Sequence, residues 1–126
     1  AVLVAEFNDF IIMSVHLDLT ESHRVESVNI ITNIGKQFNK KAYLAGDFNE
    51  DQLNGSMFTA FKNNWTIVSP VKNTFPTGSP SKCIDFIITY NGGGDYSIDK
   101  GDVIYDLPGV NVSISSDHYP LYVDFK

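Results

Sequence analysis

Cysteine is almost missing from this sequence: Cys83 stands alone among 126 residues. A single thiol excludes an internal disulfide and a cysteine-rich zinc site. Long apolar runs are missing too. None approaches the roughly 20 residues that cross a bilayer, so no transmembrane segment is expected. Basic charge is scarce: nine Lys and Arg face fifteen Asp and Glu, for a net charge of −6, and no basic run occurs. A protein that grips DNA through many phosphates ordinarily carries a basic face. Tight DNA binding is therefore disfavoured, although a bound cation can bring a phosphate to an acidic site. No leader precedes the first strand-like residues, Val2-Leu3-Val4-Ala5, and the start reads as a cut through a larger domain. A soluble chain is expected. Its compartment is open, an extracytoplasmic parent being one option. Asn54-Gly55-Ser56, Asn64-Trp65-Thr66 and Asn111-Val112-Ser113 match the N-glycosylation pattern, which matters only in a eukaryotic secretory pathway.

What is present suits one packed domain over residues 1–126. Apolar residues make up 43% and charged residues 19%, ordinary globular values, and nine Phe, six Tyr and one Trp supply large contact surfaces. Val2 to Glu6 and Phe10 to Val15 predict a hairpin turning at Asn8-Asp9. Val25, Val28, Ile31, Ile34 and Phe38 form a stripe at helical spacing, with Asp18 or Thr20 as its expected cap. Lys41 to Ala45 predicts a strand, Ser56 to Lys62 a helix and Trp65 to Val68 a short strand. Ser69 to Ser81, punctuated by Pro70, Pro76 and Pro80, predicts a loop. Strands are expected over Cys83 to Tyr90, within Tyr96 to Tyr105, over Val110 to Ser113 and over Tyr119 to Phe125. The sum is a mainly antiparallel sheet with helices on one face.

Several polar residues sit where polar groups are costly or exposed to use. Asp85 lies inside Cys83-Ile84-Asp85-Phe86-Ile87-Ile88, where a carboxylate needs a partner. Loop amides would serve, and so would His118, if the final strand lies beside this one. His16 stands at the rim of a strand, where a structural role is the commoner one. Asp47 and Asn49, in Gly46-Asp47-Phe48-Asn49, fall just after a strand, either as an Asx-rich turn or as two groups aimed from its rim. Glu50 reads as a surface acid. His23 and Arg24 fall on the first helix without an assigned role.

Four segments occur in order beside strand-like runs: Val15-His16-Leu17-Asp18, Gly46-Asp47-Phe48-Asn49, Ile84-Asp85-Phe86-Ile87 and Ser116-Asp117-His118-Tyr119. Together they resemble the later motifs of the endonuclease/exonuclease/phosphatase superfamily, metal-dependent phosphoesterases of deoxyribonuclease-like fold. The resemblance implies an α/β (α+β) architecture, a four-layered αββα sandwich, of which this chain would be the C-terminal half. The missing N-terminal half would then be its partner.

The resemblance also implies the chemistry: Mg²⁺- or Mn²⁺-dependent hydrolysis of a phosphoester by direct attack of water. Asp85 would orient His118, which would act as general base or as donor to phosphoryl oxygens. Asp47 would position or deprotonate the water, Asn49 would donate to a phosphate oxygen, and His16 would hydrogen-bond the scissile phosphate. Asp117 and Asp47 would serve the metal; an acidic site without thiolates suits a hard cation. The family's earlier glutamate, its principal metal ligand, has no counterpart here, so this chain alone is expected to be inactive. The substrate could be a small phosphoester, a lipid headgroup or a nucleic acid, with phosphodiesterase or phosphatase favoured over nuclease. A catalytically silent binding module of the same fold is a rival. So is a carboxylate-pair glycosidase using Asp47 with Glu50 or Asp117, which would leave both histidines unexplained.

Overall fold

A computed structural model describes residues 1–126. The chain runs β1 (Val2–Glu6), β2 (Phe10–His16), α1 (Glu21–Phe38), β3 (Lys41–Asp47), α2 (Ser56–Phe61), β4 (Trp65–Ile67), β5 (Asp85–Tyr90), β6 (Ile98–Val103), the short α3 (Val112–Ser115) and β7 (Leu121–Phe125). Five strands form one sheet in the order β1-β2-β3-β5-β4, and β6 and β7 form a separate antiparallel pair. Only β2 and β3 run parallel, and α1 is the crossover between them, as a parallel pair requires.

Alternation along the strands assigns the two sheet faces. Ile11, Met13 and Val15 of β2, Ala42 and Leu44 of β3, and Phe86 and Ile88 of β5 point into one buried cluster. Val28 and Ile31 of α1 and Met57, Phe58 and Phe61 of α2 close over them, so both helices lie on this face. Phe48, fully buried, stacks with Phe58 and meets Phe86 edge-on, which anchors the turn after β3 in the core. On the opposite face Tyr43 packs edge-on against Tyr96 and against Phe125 of β7, joining the small sheet to the large one.

Four expectations require correction. The final strand meets β5 without pairing to it. Both edges of β5 are already paired, to β3 and to β4, so β7 pairs with β6 instead. Residues 110–113 contain no strand: Ile114 and Ser115 donate their backbone N–H groups to the Asn111 carbonyl, closing the single turn of α3. Neither Asp18 nor Thr20 caps α1 through its side chain. Thr20 occupies the cap position without a side-chain bond, and Asp18 Oδ1 instead accepts the Thr20 N–H at 2.7 Å. Finally, β5 begins at Asp85 rather than Cys83, which puts that carboxylate at the strand's mouth.

Candidate active site

Pairing register brings three site residues into a row. His16 is the partner of Asp47 across the parallel pair, and Asp47 is the partner of Asp85 across the antiparallel one. Registered neighbours share a face, so all three belong to the face opposite the helices. Backbone closeness at this rim depends on Gly46. Its φ is +146°, and a Cβ there would stand 1.9 Å from the Val15 carbonyl oxygen, which only glycine avoids.

The turn after β3 is then fixed by short bonds. Asn49 adopts the left-handed region at φ 50°, and its N–H donates to Asp47 Oδ1 at 2.8 Å. Its side-chain Nδ2 donates to the Leu17 carbonyl at 2.7 Å, while Leu17 N–H donates to the Asp47 carbonyl. Thus Asp47 Oδ1 is committed, and Oδ2 remains free. It lies 3.5 Å from His16 Nε2 and 3.8 Å from His118 Nε2. Asn49 keeps one side-chain N–H unspent.

His118 arrives from outside the large sheet, on the segment leading into β7. The proline-rich loop of residues 69–81 holds that segment. Tyr119 N–H donates to the Thr74 carbonyl, and Thr77 N–H to the Asp117 carbonyl. Gly78 N–H donates to the Tyr119 hydroxyl. The His118 ring packs on Phe75, with centroids 4.8 Å apart. Its Nδ1 lies 2.8 Å from Asp85 Oδ2; against a carboxylate that nitrogen must carry the proton, so Nε2 faces Asp47. The same Asp85 oxygen accepts the Thr74 hydroxyl at 2.5 Å. Burial pulls the His118 pKa down, but the hydrogen bond to Asp85 and the charges of Asp85, Asp47 and Asp117 outweigh it, and the net shift is upward.

Five of the six predicted residues therefore converge: His16, Asp47, Asn49, Asp85 and His118. Asp117 is exposed and stands outside the closest group. That group is Asp47, Asp85 and His118, whose potential ligand atoms lie within 4.8 Å of one another and could hold a metal ion. One oxygen of Asp85 and one nitrogen of His118 are already engaged with each other, so the chain offers a partial donor set. The expectation for Glu50 is corrected: its carboxylate is mostly shielded, with 12% of the side chain exposed, and pairs with Arg24 at 2.9 Å. Thr74 and Arg24 carried no functional assignment from sequence, and Glu50 carried one only in the glycosidase rival. The run Thr74-Phe75-Pro76 was the available signal for the first, and nothing local marks the other two.

No family profile matches the sequence, and no curated protein does. Solved structures do. A mannosyl-6-phosphatase from Bacteroides thetaiotaomicron is similar with a TM-score of 0.73 at 25% identity, covering 93% of this chain and 51% of that one. An endonuclease/exonuclease/phosphatase family protein from the same species gives a TM-score of 0.75 at 23% identity, with 92% of this chain and 49% of the other covered. The cytolethal distending toxin of Actinobacillus actinomycetemcomitans gives 0.73 at 17% identity, with coverage of 98% and 52%. The chain spans about half the length of these structures.

Proposed function

We propose that this chain, whose fold is half of the deoxyribonuclease-like fold of endonuclease/exonuclease/phosphatase structures, is the C-terminal part of a Mg²⁺-dependent phosphoester hydrolase. The observation that carries the reading is the meeting of two imidazoles, His16 and His118, at one free carboxylate oxygen of Asp47, with Asp85 bonded behind His118. A glycosidase has no use for such a pair of histidines, and a silent binding module has no reason to keep them aimed at one point.

In hydrolysis a water forms a bond to phosphorus, the bond to the ester oxygen breaks, and negative charge spreads over the phosphoryl oxygens. Asp47 Oδ2 orients the water and takes its proton. His118, its Nδ1 bonded to Asp85, donates from Nε2 to a phosphoryl oxygen when its ring carries both protons. His16, with its side chain 76% exposed, is free to donate to the phosphate or to the departing oxygen. The unspent N–H of Asn49 adds a further donor. Preorganised donors of this kind stabilise developing charge without reorganising.

Oxygen donors suit a hard cation that keeps several waters. Asp47 would hold it from the group it forms with Asp85 and His118, Asp117 would serve it from outside that group, and further ligands would come from outside this chain. When bound, it neutralises phosphate charge and lowers the barrier to attack.

Small phosphomonoesters or phosphodiesters are the favoured substrates: one similar structure is a mannosyl-6-phosphatase, and the net charge of −6 opposes binding through many nucleic-acid phosphates. The test is turnover of p-nitrophenyl phosphate and bis-p-nitrophenyl phosphate by the full-length protein with Mg²⁺. We expect turnover that falls by about 10²–10³ in His118→Ala, the range for removing one preorganised donor to developing charge. Preferred cleavage of DNA or RNA would establish the nuclease reading instead. An undiminished His118→Ala variant would sink the mechanism.

A further inference from the structure

We propose that Arg24 is a positioning residue for this reaction, acting with Glu50 as a clamp that holds the His16 loop against the Asp47–Asn49 turn. The inference rests on the hydrolase reading above and extends it to residues that touch none of the reacting groups.

Arg24 lies in the first turn of α1 and is 7% exposed. One guanidinium nitrogen, Nη1, donates to the carbonyls of Asp18 at 3.1 Å and Leu19 at 2.7 Å. The other, Nη2, donates to Glu50 Oε2 at 2.9 Å. Glu50 in turn uses Oε1 to accept the Gln52 N–H at 2.9 Å. The acceptors belong to two different connections. Asp18 and Leu19 lie in the stretch that leaves β2 just after His16, and Glu50 follows Asn49 directly. Only arginine presents a planar fork of fixed donors that can span three such acceptors at once.

Register alone cannot perform this task, because pairing between β2 and β3 ends at His16 and Asp47. Beyond the last rung, the two connections are joined by the Leu17 contacts to Asp47 and Asn49 and then by Arg24. Loss of the clamp leaves the stretch after His16 tied to the Asp47–Asn49 turn only by the Leu17 bonds and by the Ser56 hydroxyl on Glu21, so the side chains at the end of the His16–Asp47 rung are less firmly aimed. A misplacement of about 1 Å at a reacting group can cost about 10²-fold in rate.

A buried pair can also matter for stability alone, so the test separates the two roles. Arg24→Met/Glu50→Met replaces the pair with apolar side chains, a change that is often neutral for folding. Arg24→Lys keeps the charge and the Glu50 contact but cannot reach all three acceptors. Steady-state kinetics on bis-p-nitrophenyl phosphate with Mg²⁺ would be measured for the full-length protein and both variants, beside thermal melting. The proposal expects kcat to fall by about 10- to 100-fold in both, KM to stay within about twofold, and the melting temperature of at least one to match the parent. A folded variant of either kind with parental kcat overturns the clamp while leaving the hydrolase reading intact. Should both variants melt early, kcat measured well below their melting temperatures decides the matter in the same way. Absence of turnover by the parent overturns the hydrolase reading, and the clamp with it.

Discussion

Nδ1 of His118 and the hydroxyl of Thr74 share one oxygen of Asp85, and this shared acceptor sets both the orientation and the charge of the ring. In the metal-free protein the His118 resonances should titrate above the ordinary histidine value, and Asp85→Asn should bring the midpoint down; an NMR titration reads both. The sign for folding follows. A raised folded pKa gives stability that is complete below the unfolded value, about 6.5, and is lost as pH rises through the folded one. Urea denaturation should therefore find Asp85→Asn more damaging at pH 5.5 than at pH 9. Thr74→Val deletes a donor to Asp85 and an acceptor of the Ile84 N–H, and should cost about 1–3 kcal/mol, with Thr74→Ser recovering most of it. His16 and Asp47 were legible in sequence because each closes a strand-like apolar run, Asp85 because a carboxylate within such a run needs a partner, and His118 through its place in the series of motifs. Thr74 and Arg24 were not, since their carboxylate partners lie 11 and 26 positions away and only folding reveals them.

Among the elements, β3 is the most constrained, because it is paired on both sides and carries Gly46 at its catalytic end. Gly46→Ala adds a Cβ in a backbone region that side chains rarely adopt, against the Val15 carbonyl. A loss of at least about 3 kcal/mol is expected from strain and overlap together, readable as a lowered urea midpoint. Phe48→Ala removes a fully buried ring and should cost about 3–5 kcal/mol. It should also lower turnover, since Phe48 anchors the turn between Asp47 and Asn49. The apolar stripe of α1 and the alternation of β2 were readable from periodicity. The placement of β7 was not: its own pattern is that of a strand, but the choice of neighbour depends on which edges β3 and β4 leave open. Residues 110–113 are β-branched enough to suggest a strand, yet Val110 makes only an isolated bridge to Leu107 and local bonds to Asn111 fold Val112–Ser115 into a helical turn.

For the whole molecule, the share of the similar structures that this chain covers, about half, matches the incompleteness of its donor set. A Mg²⁺ ion takes about six oxygens, and the chain offers few. The isolated chain should therefore give no turnover above background, while the full-length protein should lose activity in EDTA and regain it with Mg²⁺; equal activity of the isolated chain would contradict the division of labour. The overall architecture was readable in sequence only through the order of its motifs, because no single strand announces two separate sheets.

The row His16, Asp47 and Asp85 has a further consequence. A slip of one residue in any of these strands turns its member toward the helices, and a slip of two carries it about 7 Å along the strand axis. Either error removes one member from the rim, so on the hydrolase reading an incorrectly zipped copy would be silent. On the proposed reading, turnover by the full-length protein would serve as its own quality control, reporting that the sheet has been threaded correctly.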